Sequence, residues 1–152
     1  NRGAQSYLNT WNATTSFTPG ANLAKGKPAK ASSVEWNPFV NYKPSQANDG
    51  SSSTRWASVF NSNNEWWQVD LGVTRQIRKF SINWEDAYAS DYRIEVSIDG
   101  KTWTPAVTVD GGKGKAGITN FNVDTSGRYV RVQGVFRGTN YGYSMREFSV
   151  YS

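Results

Sequence analysis

Hydrophobic and polar residues alternate along several short segments, which is the pattern of β-strands with one buried face. The two clearest segments are residues 79–84 and 92–98. Their expected inward positions are Phe80, Ile82 and Trp84 in the first, and Tyr92, Ile94, Val96 and Ile98 in the second. Because the polar residues occupy the alternate positions, each strand is expected to have one face toward the core and one toward water.

A turn signal follows the second of these segments directly. The dipeptide Asp99-Gly100 supplies the positive φ angles that a tight hairpin turn requires. We therefore predict a hairpin in which residues 92–98 pair with a strand over residues 101–107.

Four further strands are predicted over residues 65–71, 119–123, 128–133 and 145–151. Their inward positions would be Trp67, Val69 and Leu71, then Phe121 and Val123, then Val130 and Val132, and finally Phe148 and Val150. Gly-rich or polar stretches separate them, and no segment shows a helical period over 11 or more residues. Many short strands with turn signals favour an all-β sandwich or barrel, with jelly-roll topology preferred.

The first residues differ from the rest of the chain. Residues 1–21 are rich in Asn, Thr, Ser and Gly and have no sustained apolar period, so we interpret them as a linker or lead-in strap. Residues 22–152 are then a single domain, since domains commonly hold about 100–150 residues.

Composition excludes several kinds of chemistry. The chain has 152 residues, 17 basic and 12 acidic side chains, and no Cys or His. Disulfides, Cys/His zinc sites, thiolate nucleophiles and His-assisted serine nucleophiles are therefore excluded. The basic residues are scattered, which argues against nucleic acid as a partner. No apolar run approaches the roughly 20 residues that span a bilayer, so we expect a soluble piece of a longer protein with no membrane partner.

Five segments in order resemble a known family. They are residues 45–58 (SQANDGSSSTRWAS), 65–72 (EWWQVDLG), 92–103 (YRIEVSIDGKTW), 128–132 (RYVRV) and 145–151 (MREFSVY). Over residues 22–152 the chain is similar to discoidin or coagulation factor type C domains, and within them to bacterial family 32 carbohydrate-binding modules of chitosan- or glucan-degrading enzymes. The resemblance implies an eight-stranded antiparallel jelly-roll β-sandwich, a structural calcium ion, ligand loops at one end and a secreted parent protein.

The loop over residues 46–54 could hold that calcium ion. Calcium takes six to eight oxygen ligands, many of them main-chain carbonyls, and this loop offers the Asp49 carboxylate, a flexible Gly50 and the Thr54 hydroxyl. The alternative is a metal-free turn at residues 48–50. By resemblance, the ligands would be the carbonyls of Gln46, Ser51, Thr54 and Arg146, the Thr54 hydroxyl, and the carboxylates of Asp49 and Glu147.

Sugar-binding residues are expected in loops that combine rings with polar groups. Aromatic rings cover the C–H faces of sugars, while carboxylates, amides and Arg take the hydroxyls. Aromatic residues make up 14% of the chain, so some rings should face solvent. The predicted ligand residues are Glu35, Arg55, Glu85 and Tyr141, with Trp36 as a second choice. Arg55 could instead pair with a carboxylate, and Tyr141 could lie on the sheet. Trp36 could be a loop anchor.

The remaining tryptophans of the predicted strands and their edges are expected in the core. They are Trp56, Trp66, Trp67, Trp84 and Trp103.

The acidic residues in these loops indicate the kind of sugar. The candidate loops contain three carboxylates, those of Glu35, Glu85 and Asp86. A neutral hexose needs fewer carboxylates than this, whereas a cationic amino sugar would use them. Our first hypothesis is therefore a non-catalytic module that binds chitosan, a β-linked glucosamine polymer, and targets an attached glycoside hydrolase. Affinity should be weak, at about −4 to −7 kcal/mol, and we expect a monomer.

Three alternatives stay open at this point. The first is a module for β-1,3-glucan or another neutral sugar. The second is an anionic-polymer or membrane-surface adhesion domain, which would need a coherent basic face. The third is a glycosidase with Glu35 and Glu85 as its acid and base, whose carboxyls would lie about 5–9.5 Å apart.

Overall fold

The computed structural model describes residues 20–152, which form seven β-strands and one short 3-10 helix, Pro44–Ala47. The predicted lead-in strap, residues 1–21, lies outside the described residues except for its last two. No helix in the described part of the chain has the length and hydropathy to cross a membrane. The strands are β1 (Ala29–Ala31), β2 (Trp56–Ala57), β3 (Trp66–Trp84), β4 (Ala89–Ser97), β5 (Thr104–Val109), β6 (Gly117–Arg137) and β7 (Ser144–Tyr151).

All strand pairs are antiparallel, in the order β2-β7-β3-β6-β4-β5, with β1 beside β3. The prediction of an all-β antiparallel jelly-roll sandwich is therefore confirmed. The described residues form seven strands where the prediction had eight. The eight strands were implied by the family resemblance. The seven segments predicted along the chain correspond to five strands, because residues 66–71 and 79–84 both belong to β3, and residues 119–123 and 128–133 both belong to β6. Strands β1 and β2 were not predicted.

Strand β3 bends midway and so contributes to both layers of the sandwich. Its register with β6 shifts between Asp70 and Arg75, and residues 72–76 are exposed. Rings from the two layers then meet in the core. The ring centroid of Trp67, in the first half of β3, lies 5.5 Å from that of Phe148, and Trp84, in the second half, lies 5.4 Å from Tyr92.

The inward positions predicted from alternation form most of this core. Of the predicted inward residues, those fully buried are Trp67, Val69, Leu71, Phe80, Ile82, Trp84, Tyr92, Ile94, Val96, Val130, Val132, Phe148 and Val150. Phe121 and Val123 are partly buried against the core. The prediction for Ile98 was wrong, since it is 68% exposed. Because β4 ends at Ser97, Ile98 lies in the following connection rather than on the buried face.

The predicted hairpin is present, although its turn differs from the predicted one. Strands β4 and β5 pair, and Gly100 has a φ of 76°. The connection spans residues 98–103, so it is longer than a two-residue turn. The backbone N–H groups of Thr102 and Lys101 donate to the Asp99 carboxylate at 2.9 and 2.8 Å. These bonds lower the pKa of Asp99 to about 2, so its carboxylate, rather than strand pairing, organises the longer turn.

Two of the five tryptophans expected in the core lie elsewhere. Trp56, Trp67 and Trp84 are buried, as predicted. Trp66 and Trp103 are only partly buried, and their rings lie on either side of the Arg131 guanidinium, each with its centroid 4.2 Å away. Because Trp67 faces the core, the alternation of β3 directs Trp66 to the outer face.

The predicted start of the domain is tied to its last strand. The Leu23 N–H donates to the Val150 carbonyl at 2.7 Å. The Asn22 side-chain oxygen accepts the Val150 N–H at 3.0 Å, so the chain contacts β7 from residue 22 onward.

Core packing around Phe148 should dominate stability. Phe148 is fully buried between Trp67 and Phe80, at ring distances of 5.5 and 5.7 Å. We expect Phe148→Ala to lower the free energy of unfolding by about 3–5 kcal/mol, measured by urea denaturation. The control Phe136→Ala removes a ring that is 55% exposed and should change it by about 0.5 kcal/mol or less. Similar losses for the two variants would contradict this assignment of the core.

Candidate functional site

Several strand ends meet at one end of the sandwich. The last residue of β3, Trp84, pairs with Met145 near the start of β7, and Ala89 at the start of β4 pairs with Arg137 at the end of β6. Strand β2 pairs with the start of β7 through Ala57. The connections that join these strands are therefore neighbours in space although they are distant in sequence.

A cleft of about 280 Å³ opens between these connections. Four of the five predicted ligand residues line it together: Glu35, Arg55, Glu85 and Tyr141. Asp86, one of the three carboxylates noted in the candidate loops, also lines it, and so does Phe60. Ligand contact by these residues stays a prediction, but the structure brings them into one site.

Trp36 does not line this cleft. It is 82% exposed and borders a shallow neighbouring depression formed by residues 34–41. Glu35 lines both depressions, so Trp36 lies beside the cleft rather than in it.

The floor of the cleft depends on Ser144, which sequence reasoning did not identify. Ser144 is 1% exposed, and its hydroxyl donates to the Trp56 carbonyl at 3.0 Å. Its backbone accepts the Glu85 N–H at 2.9 Å and donates to the Ala87 carbonyl at 2.8 Å. Ser144 thus fixes the connection after β3 against the start of β7. No sequence pattern distinguishes such a serine from the other serines of the chain.

Arg55 is held by three groups within the protein. Its Nη1 donates to the Ser144 hydroxyl at 2.6 Å and lies 3.6 Å from Glu85 Oε1. Its guanidinium also lies over the Tyr42 ring, 4.1 Å from the centroid. The structure therefore shows the alternative arrangement, in which Arg55 pairs with a carboxylate. This ion pair partly compensates the negative charge of Glu85.

The cleft keeps an excess of negative charge. Three carboxylates and one guanidinium line it, so the lining carries two uncompensated negative charges. Within residues 20–152, neither Glu35 nor Asp86 forms an ion pair. Glu35 is half-buried and Asp86 is exposed, so both are accessible to a cationic ligand.

An aromatic rim borders the acidic cleft. Phe60 and Tyr141 are 49% and 56% exposed, and their rings meet edge to face with centroids 5.7 Å apart. The next residue has to be glycine, because a Cβ on Gly142 would approach the Ser58 hydroxyl to 2.5 Å and would collide with the Val59 carbonyl. This close approach brings Tyr141 against the loop that carries Phe60.

Tyr143, two residues further along, faces the interior. It is 1% exposed, and its hydroxyl donates to the Asn63 carbonyl at 2.6 Å. Burial raises the pKa of Tyr143 well above its usual value, so its hydroxyl is neutral at neutral pH. Of the two tyrosines in this loop, only Tyr141 is presented to a ligand.

The loop expected to hold calcium brings several oxygen atoms together. The Thr54 hydroxyl lies 2.6 Å from Asp49 Oδ2 and 3.4 Å from each of the carbonyls of Gln46 and Ser51. The Gly50 N–H donates to Glu147 Oε1 at 3.0 Å, which places a second carboxylate at the same loop. These are the hard oxygen donors that calcium prefers.

A β-bulge explains how β7 could contribute a carbonyl. Glu147 pairs with Asn83 and Met145 pairs with Trp84, so Arg146 is an extra residue without a partner in β3. A bulge removes its extra residue from the regular ladder of hydrogen bonds. The Arg146 carbonyl, one of the expected ligands, therefore lies at the irregular position of the strand.

The pKa values of the two carboxylates at this loop are shifted in opposite directions. Burial raises the pKa of Glu147 to about 7, and the Asp49 carboxylate contributes in the same direction. Partial burial also raises the pKa of Asp49, but hydrogen bonds from the Thr54 hydroxyl and the Ser51 N–H outweigh it, so this pKa lies below its ordinary value. Two carboxylates this close repel each other when both are charged, and a divalent cation between them would relieve that repulsion.

The donor set fits the expected ion. Within residues 20–152, no three His, Cys, Asp or Glu side chains form a cluster suited to a metal, but the expected site needs only two carboxylates and draws its other ligands from carbonyls and a hydroxyl. The residues present therefore suit calcium, and calcium occupancy stays a prediction.

A second aromatic surface lies on the outer face of the sheet, around Arg131. Both faces of its guanidinium are covered by Trp66 and Trp103, and its Nη2 donates to Gln68 Oε1 at 2.7 Å. Because Arg131 is largely satisfied by these neighbours, the acidic cleft is the better candidate site.

Comparisons with known proteins identify the family and support the fold. Residues 28–148 match the F5/8 type C domain family. No curated protein matches the chain. Among solved structures, chitosan-binding module 1 of a chitosanase/glucanase from Paenibacillus sp. IK-5 is 42% identical with a TM-score of 0.81, over 88% of this chain and 100% of that one.

Two further solved structures extend the comparison. Chitosan-binding module 2 from the same Paenibacillus enzyme, in complex with chitotriose, is 37% identical with a TM-score of 0.80, over 86% of this chain and 100% of that one. A family 32 carbohydrate-binding module from Clostridium perfringens, in complex with GalNAc-β-1,3-galactose, is 18% identical with a TM-score of 0.76, over 87% of this chain and 100% of that one, and shows the shared fold alone. The family match and these relatives confirm the resemblance found in the sequence: the chain belongs to the F5/8 type C (discoidin) domain family.

Proposed function

We propose that this protein is a non-catalytic carbohydrate-binding module that binds chitosan through the acidic cleft. The observation that carries the proposal is the excess of negative charge in a cleft with an exposed aromatic rim. Glu35, Glu85 and Asp86 supply the charge, and Phe60 and Tyr141 supply the rim.

The charge of the cleft selects an amino sugar over a neutral one. A hydrogen bond between an ammonium group and a carboxylate contributes about 1.5–3 kcal/mol. Glu35 and Asp86 have no ion-pair partner within residues 20–152, so they gain a counter-ion when glucosamine binds. A neutral sugar would desolvate the same carboxylates without supplying a charge, and N-acetylation would remove the charge from the ligand.

The relatives support the same choice. Two modules of the Paenibacillus chitosanase/glucanase, 42% and 37% identical to this chain, are chitosan-binding modules, and one was solved with chitotriose. Since these relatives are binding modules, a non-catalytic role is favoured over the glycosidase alternative with Glu35 and Glu85 as acid and base.

A neutral β-1,3-glucan is the second candidate ligand. The parent enzyme of those relatives is a chitosanase/glucanase, and the rim of Phe60 and Tyr141 would stack on any pyranose ring. Arg55, held at 3.6 Å from Glu85, has further N–H groups that could donate to neutral hydroxyls.

The module would work as part of a larger secreted protein. A shallow cleft of this kind binds weakly, so attachment to a catalytic glycoside hydrolase domain would supply the effective concentration that single sites lack. The module would hold the enzyme near its insoluble substrate, and we expect it to be monomeric.

We also propose that a structural calcium ion is bound by the carboxylates of Asp49 and Glu147, the carbonyls of Gln46, Ser51, Thr54 and Arg146, and the Thr54 hydroxyl. The support is the convergence of oxygens around Thr54 and the bulge at Arg146. When bound, the ion would neutralise the paired carboxylates and join the loop to β7.

Removing one carboxylate from the cleft should weaken binding of charged sugars selectively. We expect Glu35→Gln and Glu85→Gln each to weaken binding of glucosamine trimers by more than about 1 kcal/mol, measured by isothermal titration calorimetry. Binding of β-1,3-glucan oligomers should change less. Tyr141→Ala should weaken both kinds of ligand alike, since a ring stacks on either.

Asp110→Asn is the matched control for these variants. It removes one negative charge from an exposed residue in the connection after β5 that does not line the cleft, and should leave glucosamine affinity within about twofold, because exposed charges are screened by salt. Equal affinity of the wild type for glucosamine, N-acetylglucosamine and β-1,3-glucan oligomers would reject the role of the carboxylates.

Calcium should stabilise the folded protein. At a free calcium concentration about 100 times its dissociation constant, the free energy of unfolding should rise by about 2.7 kcal/mol relative to EDTA, measured by urea denaturation. Asp49→Asn and Glu147→Gln should each remove most of this increase, and Asp110→Asn should retain it. An unchanged unfolding curve on adding calcium to the EDTA-treated wild type would reject the calcium proposal.

A further inference from the structure

The loop beside the cleft exposes large apolar side chains. Trp36 is 82% exposed, Phe39 is 92% exposed and Val40 is 47% exposed. All three lie within residues 34–41, which form a shallow depression of about 490 Å³. Burying apolar surface is favourable, so contiguous exposed apolar residues of this kind mark a surface that binds something.

Both ends of this loop are fixed to the same residue of β2. The Glu35 N–H donates to the Ala57 carbonyl at 2.7 Å, and the Ala57 N–H donates to the Tyr42 carbonyl at 3.2 Å. At the tip, the Asn37 side-chain oxygen accepts the N–H groups of Phe39 and Val40 at 2.9 and 3.1 Å. The exposed rings are therefore carried by an internally hydrogen-bonded loop, which reduces the entropy that a ligand would have to remove.

The depression is continuous with the acidic cleft. Glu35 lines both, and Ala57, which anchors the loop, lies between Arg55 and Ser58, which line the cleft. A linear ligand that leaves the cleft on the Glu35 side therefore passes directly onto the surface of Trp36 and Phe39.

The cleft alone holds only a short piece of a polysaccharide. Its volume of about 280 Å³ lies just below the usual range for small-molecule sites, about 300–1,000 Å³, and has room for about one or two sugar rings. The remaining residues of a longer chain must lie on the neighbouring surface, where their C–H faces can cover aromatic rings and their ammonium groups can approach the face of Trp36.

We infer that Trp36 and Phe39 form a second subsite that holds the continuation of the glucosamine chain bound in the cleft, with Glu35 between the two subsites. This inference rests on the proposed function. The protein should therefore bind long oligomers more tightly than short ones, and the gain should depend on the loop over residues 34–41.

The charges around the loop favour a polycationic chain over an anionic membrane. The adjoining cleft is lined by the carboxylates of Glu35, Glu85 and Asp86 and by the one guanidinium of Arg55. Its net negative charge repels anionic lipid headgroups and attracts ammonium groups. Exposed rings could insert into either kind of surface, so the sign of this charge decides between them.

The test is a series of calorimetric titrations with glucosamine oligomers of two and six residues. We expect Trp36→Ala and Phe39→Ala to weaken binding of the hexamer by about five- to tenfold and to leave binding of the dimer within about twofold. Trp36→Phe, which keeps a ring, should retain most of the hexamer affinity. Because Trp36 is 82% exposed, its replacement should leave thermal unfolding unchanged.

Ile98→Ala is the matched control. Ile98 is 68% exposed and follows the end of β4 opposite to the cleft, so its loss should change neither affinity. The second subsite would be overturned if the Trp36 and Phe39 variants bound the hexamer like the wild type, or if they weakened dimer and hexamer equally. It would also be overturned if the Trp36 and Phe39 variants lost binding to phosphatidylserine vesicles while they kept wild-type binding to the glucosamine hexamer.

Failure of the second subsite is distinguishable from failure of the proposed function. Glu85→Gln should weaken the dimer and the hexamer alike, because Glu85 lines the cleft and not the loop. If Glu85→Gln bound the dimer like the wild type, the role of the cleft would be wrong and the inference would fall with it. If Glu85→Gln weakened both oligomers while Trp36→Ala weakened neither, only the second subsite would be wrong.

Discussion

The bending of two long strands, β3 and β6, is the constraint on which the rest of the structure depends. A strand of 19 residues is about 60 Å long when extended, too long for one layer of a domain of this size. Strand β3 therefore bends near residues 72–76 and runs back, with β6 beside it in both layers. The return brings Trp84 and the connection after it to the end where β7 begins, and the core closes between the two layers.

The fold brings acidic residues that are distant in sequence together in one cleft. The protein carries a net charge of +5, yet the cleft is acidic because the connection that carries Glu35 meets the one that carries Glu85 and Asp86. The single guanidinium, Arg55, is held by Ser144, Tyr42 and Glu85. Its placement compensates one carboxylate and leaves two for a ligand. The proposed selectivity for a cationic sugar would thus arise from the way the loops meet, whereas the overall composition, which is basic, indicates the opposite.

Five of the seven strands lie on segments predicted from the sequence, most of them through local alternation. Strands β1 and β2, with three and two residues, are too short to show alternation and were not predicted. Residues 79–84 and 92–97 needed no knowledge of their partners, since one face of each is apolar throughout. The turn after β4 was predicted too short because the Asp99 carboxylate binds the N–H groups of Thr102 and Lys101, and such side-chain bonds leave no periodic signal. The merging of predicted strands into β3 and β6 was missed for a similar reason: residues 72–76 are exposed on both sides and interrupt the alternation.

The members of the site were predictable, whereas its floor was not. Glu35, Arg55, Glu85 and Tyr141 stand out as charged or aromatic loop residues, and the family resemblance placed such loops at one end. Ser144 and the close approach at Gly142 act through contacts between residues far apart in sequence. Trp36 was predicted as a ligand residue together with its neighbour Glu35. The sequence could not show that Trp36 lies in a separate depression beside the cleft, because this depends on how the loop over residues 34–41 folds.

The most direct test of the account follows backbone amide shifts by NMR while glucosamine trimer is added to the isotope-labelled protein. If the cleft binds the cationic sugar, the shift changes should concentrate at its lining residues, with Glu35, Glu85 and Tyr141 among them. Shift changes that concentrate instead on the outer face around Arg131, with the amides of the cleft unchanged, would contradict it.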